Sequence, residues 1–141
     1  MVCLYSIFFE ISPSEEFQEI LLNGLSDQAF LKKKLLPMRH FGFSVKDATG
    51  KIIGGAIGLI FYGCLYTDSL FIPSKIRKKG FGQTLMQNVE QYGKEHGCTF
   101  ACVNTMDFEA LGFYQSLGYE IEFERKGFSG NSILYFLRKS L

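Results

Sequence analysis

The stretch from Ile72 to Gly82, which reads IPSKIRKKGFG, constrains the fold more than any other part of the chain. An apolar run meets a basic turn with two glycines, and an amphipathic helix follows directly. Glycine lets a backbone approach a phosphate closely, while the first turn of a helix presents unpaired N–H groups and a dipole that favours negative charge. The segment therefore predicts a strand, an anion-binding loop and a helix in succession.

The N-terminal part is predicted to hold one strand and two short helices. Residues 1–10 are apolar and lack the basic start and the small-residue cleavage site of a secretory signal, so we interpret them as a strand. Residues 12–15 read as a helix start with Ser12 as the N-cap, and Gly24 indicates the end of that helix. A second helix is predicted from residue 26 to the lysine run at positions 32–34, before the proline at position 37.

Alternating apolar residues predict the sheet. From residue 40 apolar residues recur at every second position, which is typical of a strand. Turn-forming residues near positions 47–50 and 62–63 separate the first three strands. Gly54, Gly55 and Gly58 in the second of these strands indicate bulges or the close approach of another backbone or a ligand. Beyond the loop, the pattern predicts a helix up to residue 95, a buried strand over 99–103, a helix over 108–116 and closing strands over 119–124 and 133–137.

The spacing of these elements predicts the fold class. A strand, a crossover helix and a strand in this order imply a parallel pair. The expected fold is α/β, a single domain over residues 1–141 with a mixed, mostly antiparallel sheet flanked by helices. A formal net charge of +1 provides no general attraction to nucleic acid or to an anionic membrane, so neither is expected as a partner.

The four cysteines, Cys3, Cys64, Cys98 and Cys102, indicate a reducing compartment. They form no CxxC pair, and no histidine lies at a spacing that suits zinc. We therefore predict reduced, buried thiols in a cytoplasmic protein without a metal ion. No apolar run reaches the roughly 18 residues that a membrane-spanning helix needs.

Two motifs in this order resemble the GNAT superfamily of acyl-CoA-dependent N-acetyltransferases. The first is Arg77-Lys78-Lys79-Gly80-Phe81-Gly82, which fits the family pattern of Arg or Gln, two residues, Gly, one residue, and Gly or Ala. The second is Phe113-Tyr114 followed by Leu117-Gly118-Tyr119. Two rival motifs are excluded, because Leu85 occupies the third glycine position of a dinucleotide fingerprint and no Gly-Lys-Ser/Thr of a P-loop is present.

The resemblance runs from about Leu65 to Tyr119 and implies acetyl-CoA as the acyl donor, bound where the sheet splays at its parallel strand pair. It implies that one strand, through Leu70, Phe71 and Ile72, lies along the pantetheine arm. It also implies that the pyrophosphate contacts Arg77, Lys78, Lys79, Gly80, Phe81, Gly82, Gln83 and Thr84. Asn104 is a candidate contact of the cofactor or the substrate, with a turn residue as the alternative.

Acetyl transfer to an amine requires a deprotonated nucleophile, and Asp68 is the candidate base or substrate anchor. An amine with a pKa near 10.4 is less than about one percent deprotonated at pH 7, so a base or a water relay should help. Alternation places Asp68 on the side of the strand that carries Tyr66, Leu70 and Ile72. The family often has a glutamate on this strand and this chain has none, so a structural carboxylate is the alternative.

Tyr114 is the candidate donor to the departing CoA sulfur, a role that the resemblance implies. With a tyrosine pKa near 10 and a thiol pKa near 8.5, full proton transfer is uphill by about 2 kcal/mol, so hydrogen bonding could matter more than protonation. The alternative is a tyrosine packed at the helix end. Cys102 is disfavoured as a nucleophile, because neither His40 nor His96 is expected beside it.

These residues predict an enzyme that transfers an acetyl group from acetyl-CoA to a primary amine of a small molecule or peptide, by direct attack in a ternary complex. The alternative belongs to a different class, namely a module of the same fold that binds CoA as a sensor or partner-docking unit without turnover. The intact loop and Tyr114 favour the enzyme. A homodimer is left open.

Overall fold

The computed structural model describes residues 4–141, and residues 1–3 lie outside the described part. The chain divides into two compact units, one that ends at Pro37 and one that comprises Met38–Leu141. Cys3 and the first residues of the predicted N-terminal strand fall outside the described residues. That the whole chain is one domain stays a prediction.

The first unit contains one long helix, α1 (Glu15–Lys33), where the sequence predicts two short ones. Its N-cap is Ser14 and not Ser12. The Ser14 hydroxyl accepts a hydrogen bond from the N–H of Phe17 at 3.1 Å, and the two residues after the cap are glutamates, which the helix dipole favours. The capping signal was therefore correct in kind and displaced by two positions.

Two further predictions for this unit are wrong. Gly24 lies inside α1, because a helical glycine costs only about 1 kcal/mol relative to alanine and its leucine-rich flanks favour the helix. The helix instead ends at Lys34, which takes the left-handed conformation with φ of 58°. Residues 4–10 form no strand, because no neighbouring strand completes their main-chain hydrogen bonds.

Six strands of the second unit form one mixed sheet. They are β1 (Arg39–Lys46), β2 (Ile52–Phe61), β3 (Cys64–Phe71), β4 (Phe100–Met106), β5 (Glu120–Phe128) and β6 (Ser132–Ser140). Their order across the sheet is β1-β2-β3-β4-β6-β5. All neighbours are antiparallel except β3 and β4, which are parallel, and this confirms the predicted α/β fold with a mostly antiparallel sheet.

The glycines of β2 mark a bulge and a close strand contact, as predicted. The register between β2 and β3 shifts between Ile57 and Gly58. A Cβ atom at Gly58 would overlap the carbonyl oxygen of Tyr66 on the neighbouring strand. Only glycine fits at this position, since any side chain would push the two strands apart.

The parallel pair separates partway along its length. Its ladder begins at Cys64 and Phe100 and ends at Thr67 and Val103. Beyond that point β3 is paired only with β2, and β4 only with β6. We call this opening, formed by residues 68–71 and 104–106, the fork. Main-chain groups along its inner edges have no strand partner, as the resemblance implies for a splayed sheet.

Two helices of the second unit, α2 (Phe81–Glu95) and α3 (Leu111–Ser116), contribute to a core on one face of the sheet. Leu85, Met86 and Val89 of α2 are buried in that core, as their spacing predicts. No helix within residues 4–141 is long and apolar enough to cross a membrane.

The connection from β4 to α3 differs from the prediction at both ends. Asn104 lies within β4 and not in a turn after it. The helix begins later than predicted because side chains bond the intervening main chain. The Ala110 N–H donates to Thr105 Oγ1, and the Met106 N–H donates to Glu109 Oε1, both at 3.1 Å.

Candidate functional site

The loop between β3 and α2 is held in a defined turn by its own groups. A short 3-10 turn (Ser74–Ile76) leads out of the strand. The Arg77 side chain then folds back, and its Nε donates a hydrogen bond to the carbonyl of Ile72 at 2.8 Å. Lys78 and Gly80 follow in the left-handed conformation, with φ of 60° and 83°. Because glycine adopts this conformation without strain, the chain can turn sharply into α2.

The start of α2 has no side-chain cap. Gly80 occupies the N-cap position, no side chain bonds the first turn, and that turn contains no acidic residue. The N–H of Thr84 donates to the Gly80 carbonyl at 3.0 Å. The N–H groups without an intrahelical acceptor are therefore those of Phe81, Gly82 and Gln83. An anion at this end would meet these donors and the positive end of the helix dipole.

Basic side chains precede this helix start. Lys78 and Lys79 are exposed, and neither ion pair found within residues 4–141 involves them. Two of the predicted contacts are already engaged in the protein, because Arg77 Nε and the Thr84 N–H have internal acceptors. The terminal guanidinium nitrogens of Arg77 and the hydroxyl of Thr84 are the groups that these residues can offer to a ligand.

Gly82 connects the loop to the second motif. The ring of Phe113 lies so close that a Cβ at Gly82 would sit 3.1 Å from its nearest carbon. Phe113 and Tyr114 are adjacent on α3, with ring centroids 5.2 Å apart. The structure thus brings the glycine loop and the Phe-Tyr pair together, although 31 positions of sequence separate Gly82 from Phe113.

Tyr114 is buried, with 5% of its surface exposed. Its ring packs against Tyr119, with centroids 5.7 Å apart. Burial, and secondarily the charge of Glu109, raises the pKa of Tyr114 to about 12. No hydrogen bond links its hydroxyl to another residue in the described part of the chain. At neutral pH the group is therefore a protonated donor without a protein acceptor.

Asp68, Tyr66 and Asn104 meet at the fork. Asn104 Nδ2 donates to the Tyr66 hydroxyl oxygen at 3.4 Å, and the Ser69 hydroxyl donates to Asp68 Oδ2 at 3.4 Å. Burial raises the pKa of Tyr66, and the nearby Asp68 and Cys102 raise it further. Alternation along the strand predicts that Tyr66 lies on the same side as Asp68, but the sequence alone indicates no catalytic role for Tyr66.

A bulge changes which residues of β3 share a face. The ladder to β2 skips Asp68, which lies between the paired residues Thr67 and Ser69. Ile72 belongs to the buried core and Leu70 packs against it, whereas Asp68 is exposed. The prediction that Asp68 shares a side with Leu70 and Ile72 is therefore wrong, since the extra residue shifts the alternation by one.

The cysteines of the described residues are free thiols. Cys64 and Cys98 are buried as predicted, while Cys102 is half-buried. The sulfur atoms of Cys64 and Cys102 lie 3.1 Å apart on adjacent strands, and this hydrogen bond, with burial, raises the pKa of Cys64.

Nδ1 of His96 lies 2.8 Å from the Tyr92 carbonyl oxygen at the end of α2. Residues 4–141 contain no group of three His, Cys, Asp or Glu that could hold a metal ion.

Two surface cavities lie away from the glycine loop, and one of them includes a predicted donor-site residue, Phe71. One, of about 440 Å³, is lined by charged residues of β5 and β6 that include Glu120, Glu122 and Arg138. Another, of about 360 Å³, has an apolar lining and includes Phe71 but no residue of the glycine loop. Ser69 and Phe71, two residues of the fork, line this second cavity.

A comparison with protein families agrees with this arrangement. The model of the Acetyltransferase (GNAT) family matches residues 4–119, a range that includes the loop, the fork and the Phe-Tyr motif. The chain therefore belongs to the GNAT acetyltransferase family. This confirms the resemblance that the two sequence motifs indicate.

Individual relatives extend the comparison. The chain is 36% identical over 86 residues to blasticidin-S acetyltransferase from Streptomyces morookaense, and the match spans 60% of this chain and 63% of that protein, less than two thirds of its length. A crystal structure of a candidate acetyltransferase from Agrobacterium tumefaciens has a TM-score of 0.83 at 20% identity and covers 98% of this chain and 100% of its own. A crystal structure of a candidate streptothricin acetyltransferase from Bacillus anthracis, in complex with acetyl coenzyme A, has a TM-score of 0.59 at 18% identity. The match covers 65% of this chain and 57% of that chain. At these identities the structures show a shared fold alone.

Proposed function

We propose that this protein transfers an acetyl group from acetyl-CoA to a primary amine of a small molecule or peptide, by direct attack in a ternary complex. The observation that carries the proposal is the uncapped start of α2, with free N–H groups and exposed lysines, next to a forked sheet. Membership of the GNAT family supports acetyl-CoA as the donor. We further propose a cytoplasmic location.

The loop residues fit the pyrophosphate of the donor. The N–H groups of Phe81, Gly82 and Gln83 would donate to phosphate oxygens, and Lys78 and Lys79 would add positive charge. The inner edge of β3 in the fork offers main-chain groups to the amides of the pantetheine arm. When bound, acetyl-CoA supplies a thioester carbonyl that an amine can attack.

Asp68 is the proposed base for the amine. The carboxylate is exposed at the fork, so an incoming substrate can reach it. A reference amine with a pKa near 10.4 needs to lose a proton before it attacks, and a carboxylate close to it, directly or through water, can accept that proton. The bulge at Asp68 supports this role, because bulges often redirect a side chain next to an active site.

Tyr114 is the proposed donor to the sulfur that leaves. A tyrosine pKa of about 12 against a thiol pKa near 8.5 makes full proton transfer uphill by about 5 kcal/mol, which exceeds the value expected for an unperturbed tyrosine. The raised pKa therefore favours stabilisation of the thiolate by a hydrogen bond over its complete protonation. A hydroxyl without a protein acceptor suits that role.

Release of free thiol from acetyl-CoA with a panel of primary amines tests the proposal. The panel should include blasticidin S, because the 36%-identical relative is named for it, together with a lysine-containing peptide and simple alkylamines. We expect thiol release that depends on one of these amines and an acetylated product in the mass spectrum. CoA binding measured by calorimetry without any acetylated product would favour the non-catalytic module, and absence of CoA binding would contradict both.

A further inference from the structure

The two arms of the fork carry polar residues at matching positions. The last pair of the parallel ladder is Thr67 and Val103, and the next residue is Asp68 on one arm and Asn104 on the other. Tyr66 precedes this point, and its hydroxyl oxygen accepts a hydrogen bond from Asn104 Nδ2 across the gap at 3.4 Å. A carboxylate, a phenol and an amide therefore converge where the strands separate.

The charge of this group is negative and is not neutralised within the described unit. The ion pairs found in residues 4–141 join Arg138 to Glu122 and Lys139 to Glu90, and neither includes Asp68. The groups that influence Tyr66 are Asp68 on its own strand and Cys102 on β4. On β2, the residue opposite Tyr66 is the apolar Leu59. A cation that enters the fork would thus meet one exposed carboxylate.

We propose that Asn104, Tyr66 and Asp68 form the subsite that binds the acceptor as an ammonium ion, with Tyr66 as the proton relay to Asp68. This inference rests on the proposed acetyl transfer and adds the protonation state of the acceptor and a residue that touches it. The ammonium N–H groups would donate to the Tyr66 hydroxyl oxygen and to the Asp68 carboxylate. Asn104 would hold the Tyr66 oxygen in place through its existing hydrogen bond.

The proton step balances with these groups alone. One N–H bond of the ammonium breaks and its proton passes to the Tyr66 oxygen, while the Tyr66 O–H proton passes to a carboxylate oxygen of Asp68. The amine nitrogen keeps the electron pair of the broken N–H bond and can attack a carbonyl. Asp68 ends as a neutral acid and returns its proton to water.

Tyr66 is suited to such a relay because it remains protonated. Burial and the proximity of Asp68 raise its pKa, so at neutral pH it can donate one hydrogen bond and accept another. Asp68 sits at the bulge in the register with β2, a feature often found next to active sites. Tyr66 is half-buried, so part of its surface can contact a substrate.

Amine affinity can be measured without turnover. Calorimetry of CoA-saturated protein with n-butylamine and 2-phenylethylamine, and with the neutral n-butanol and 2-phenylethanol, tests recognition of the charge. We expect at least one amine to bind about tenfold more tightly than its alcohol, as a hydrogen bond to a charged group implies. Tyr66→Phe and Asp68→Asn should each remove about that factor and leave CoA affinity unchanged.

Tyr92→Phe is the matched control. It deletes the same hydroxyl from another half-buried tyrosine, whose ring packs against Phe41 and Phe43 and not at the fork. Amine affinity should be unchanged in this variant. Equal affinity for amines and alcohols, no amine binding by the wild type, or equal effects of Tyr66→Phe and Tyr92→Phe would each overturn the subsite.

Turnover then tests the relay with an amine that binds. The kcat/KM of Tyr66→Phe and Asp68→Asn should fall most at low pH and approach the wild type as the amine deprotonates in solution. The double variant should be no slower than the slower single variant, since both act in one proton path. Losses that multiply in the double variant would overturn the relay.

The two proposals fail in different ways. A wild type that binds amines through these residues but acetylates none would overturn acetyl transfer and the relay and leave the ammonium subsite standing. A wild type that acetylates an amine equally well with Tyr66→Phe would support acetyl transfer and overturn the role of Tyr66.

Discussion

At the start of α1 the protein supplies its own hydrogen-bond acceptor, whereas at the start of α2 it supplies none. The Ser14 hydroxyl bonds the N–H of Phe17, and Glu15 and Glu16 place negative charge in the first turn of α1. In α2 the cap is Gly80, no side chain bonds the first turn, and no acid is present there. A side chain thus accepts from the first turn of α1, whereas the N–H groups of Phe81, Gly82 and Gln83 in α2 have no side-chain acceptor.

The difference between the two helix starts affects the stability of each helix. A serine cap stabilises a helix by about 1 kcal/mol relative to alanine, and acidic residues in the first turn add to that. The start of α2 omits these contributions and has lysines before it instead of glutamates after it. Such a helix end is electrostatically complementary to an anionic ligand, and the comparison of the two helix starts can be tested by substitution.

The largest effect is expected for Gly82→Glu, which places a carboxylate and its bulk in the first turn of α2. Like-charge repulsion of a phosphate should weaken CoA binding by more than about 100-fold. Gly24→Glu, at an exposed glycine within α1, adds the same side chain elsewhere and should leave CoA affinity unchanged. Calorimetry on both folded variants makes the comparison.

Gly82→Ala separates charge from shape. Its Cβ would lie 3.1 Å from the Phe113 ring, so a moderate loss is expected from displacement of that ring. CoA affinity of wild-type strength in folded Gly82→Glu would contradict the proposed donor site.

The next largest effect is expected for Tyr114→Phe and concerns turnover, not donor binding. Loss of the hydroxyl should lower kcat by about 100-fold, the lower part of the range for acid–base assistance. CoA affinity should change little, because the donors at α2 remain. With a pKa of about 12, Tyr114 keeps its proton up to about pH 11, so its ionisation should not lower kcat between pH 7 and 10. Steady-state kinetics across that range, with two acyl donors of different thiol pKa, provide the measurement.

Two outcomes distinguish the roles of Tyr114. A smaller loss with the donor whose thiol leaves more easily would indicate assistance to the leaving group. A kcat equal to that of the wild type with both donors would mean that Tyr114 is a packing residue.

A smaller effect is expected when the lysines before α2 are removed. Lys78→Ala together with Lys79→Ala should weaken CoA binding by about fivefold at low salt and less at high salt, as for exposed charges. Lys32→Ala together with Lys33→Ala removes the same charge from the last turn of α1 and serves as the control. If both double variants bind CoA equally well, the lysines at α2 contribute nothing specific.

The smallest effect is expected for Ser14→Ala, which removes the cap of α1. The free energy of unfolding should fall by about 1 kcal/mol in denaturant titration, because the N–H of Phe17 loses its acceptor. CoA affinity should stay within twofold. A loss of CoA affinity comparable to that of Gly82→Ala would mean that the two helix starts are not functionally distinct.

The features that the sequence predicts well depend on short-range patterns. The loop around Gly80 and the buried face of α2 follow from glycine spacing and helical periodicity. The parallel pairing of β3 and β4 follows from the strand–helix–strand order. Family motifs predict that Tyr114 lies near Gly82. In the structure the Phe113 ring, next to Tyr114, lies close to Gly82 and joins the two motifs.

Three of the features that were missed depend on partners distant in sequence, and a fourth, at Gly24, depends on its flanks. Residues 4–10 have the composition of a strand but no strand to pair with, and composition does not report on pairing. Gly24 carries a stop signal that the flanking helix formers outweigh. The bulge at Asp68 arises in the register with β2, so alternation along one strand did not reveal it. The contact of Tyr66 with Asn104 spans two strands for the same reason.

The hydrogen bond from Arg77 Nε to the Ile72 carbonyl has a consequence for the rate of ligand capture. It ties the beginning of the glycine loop to the end of the strand that precedes it through groups of the protein alone. A loop already in its turn loses little conformational entropy on binding, so association need not wait for the loop to order. The observed rate of CoA association should then rise linearly with CoA concentration. Differences in CoA affinity among variants of the loop should come mainly from differences in the dissociation rate.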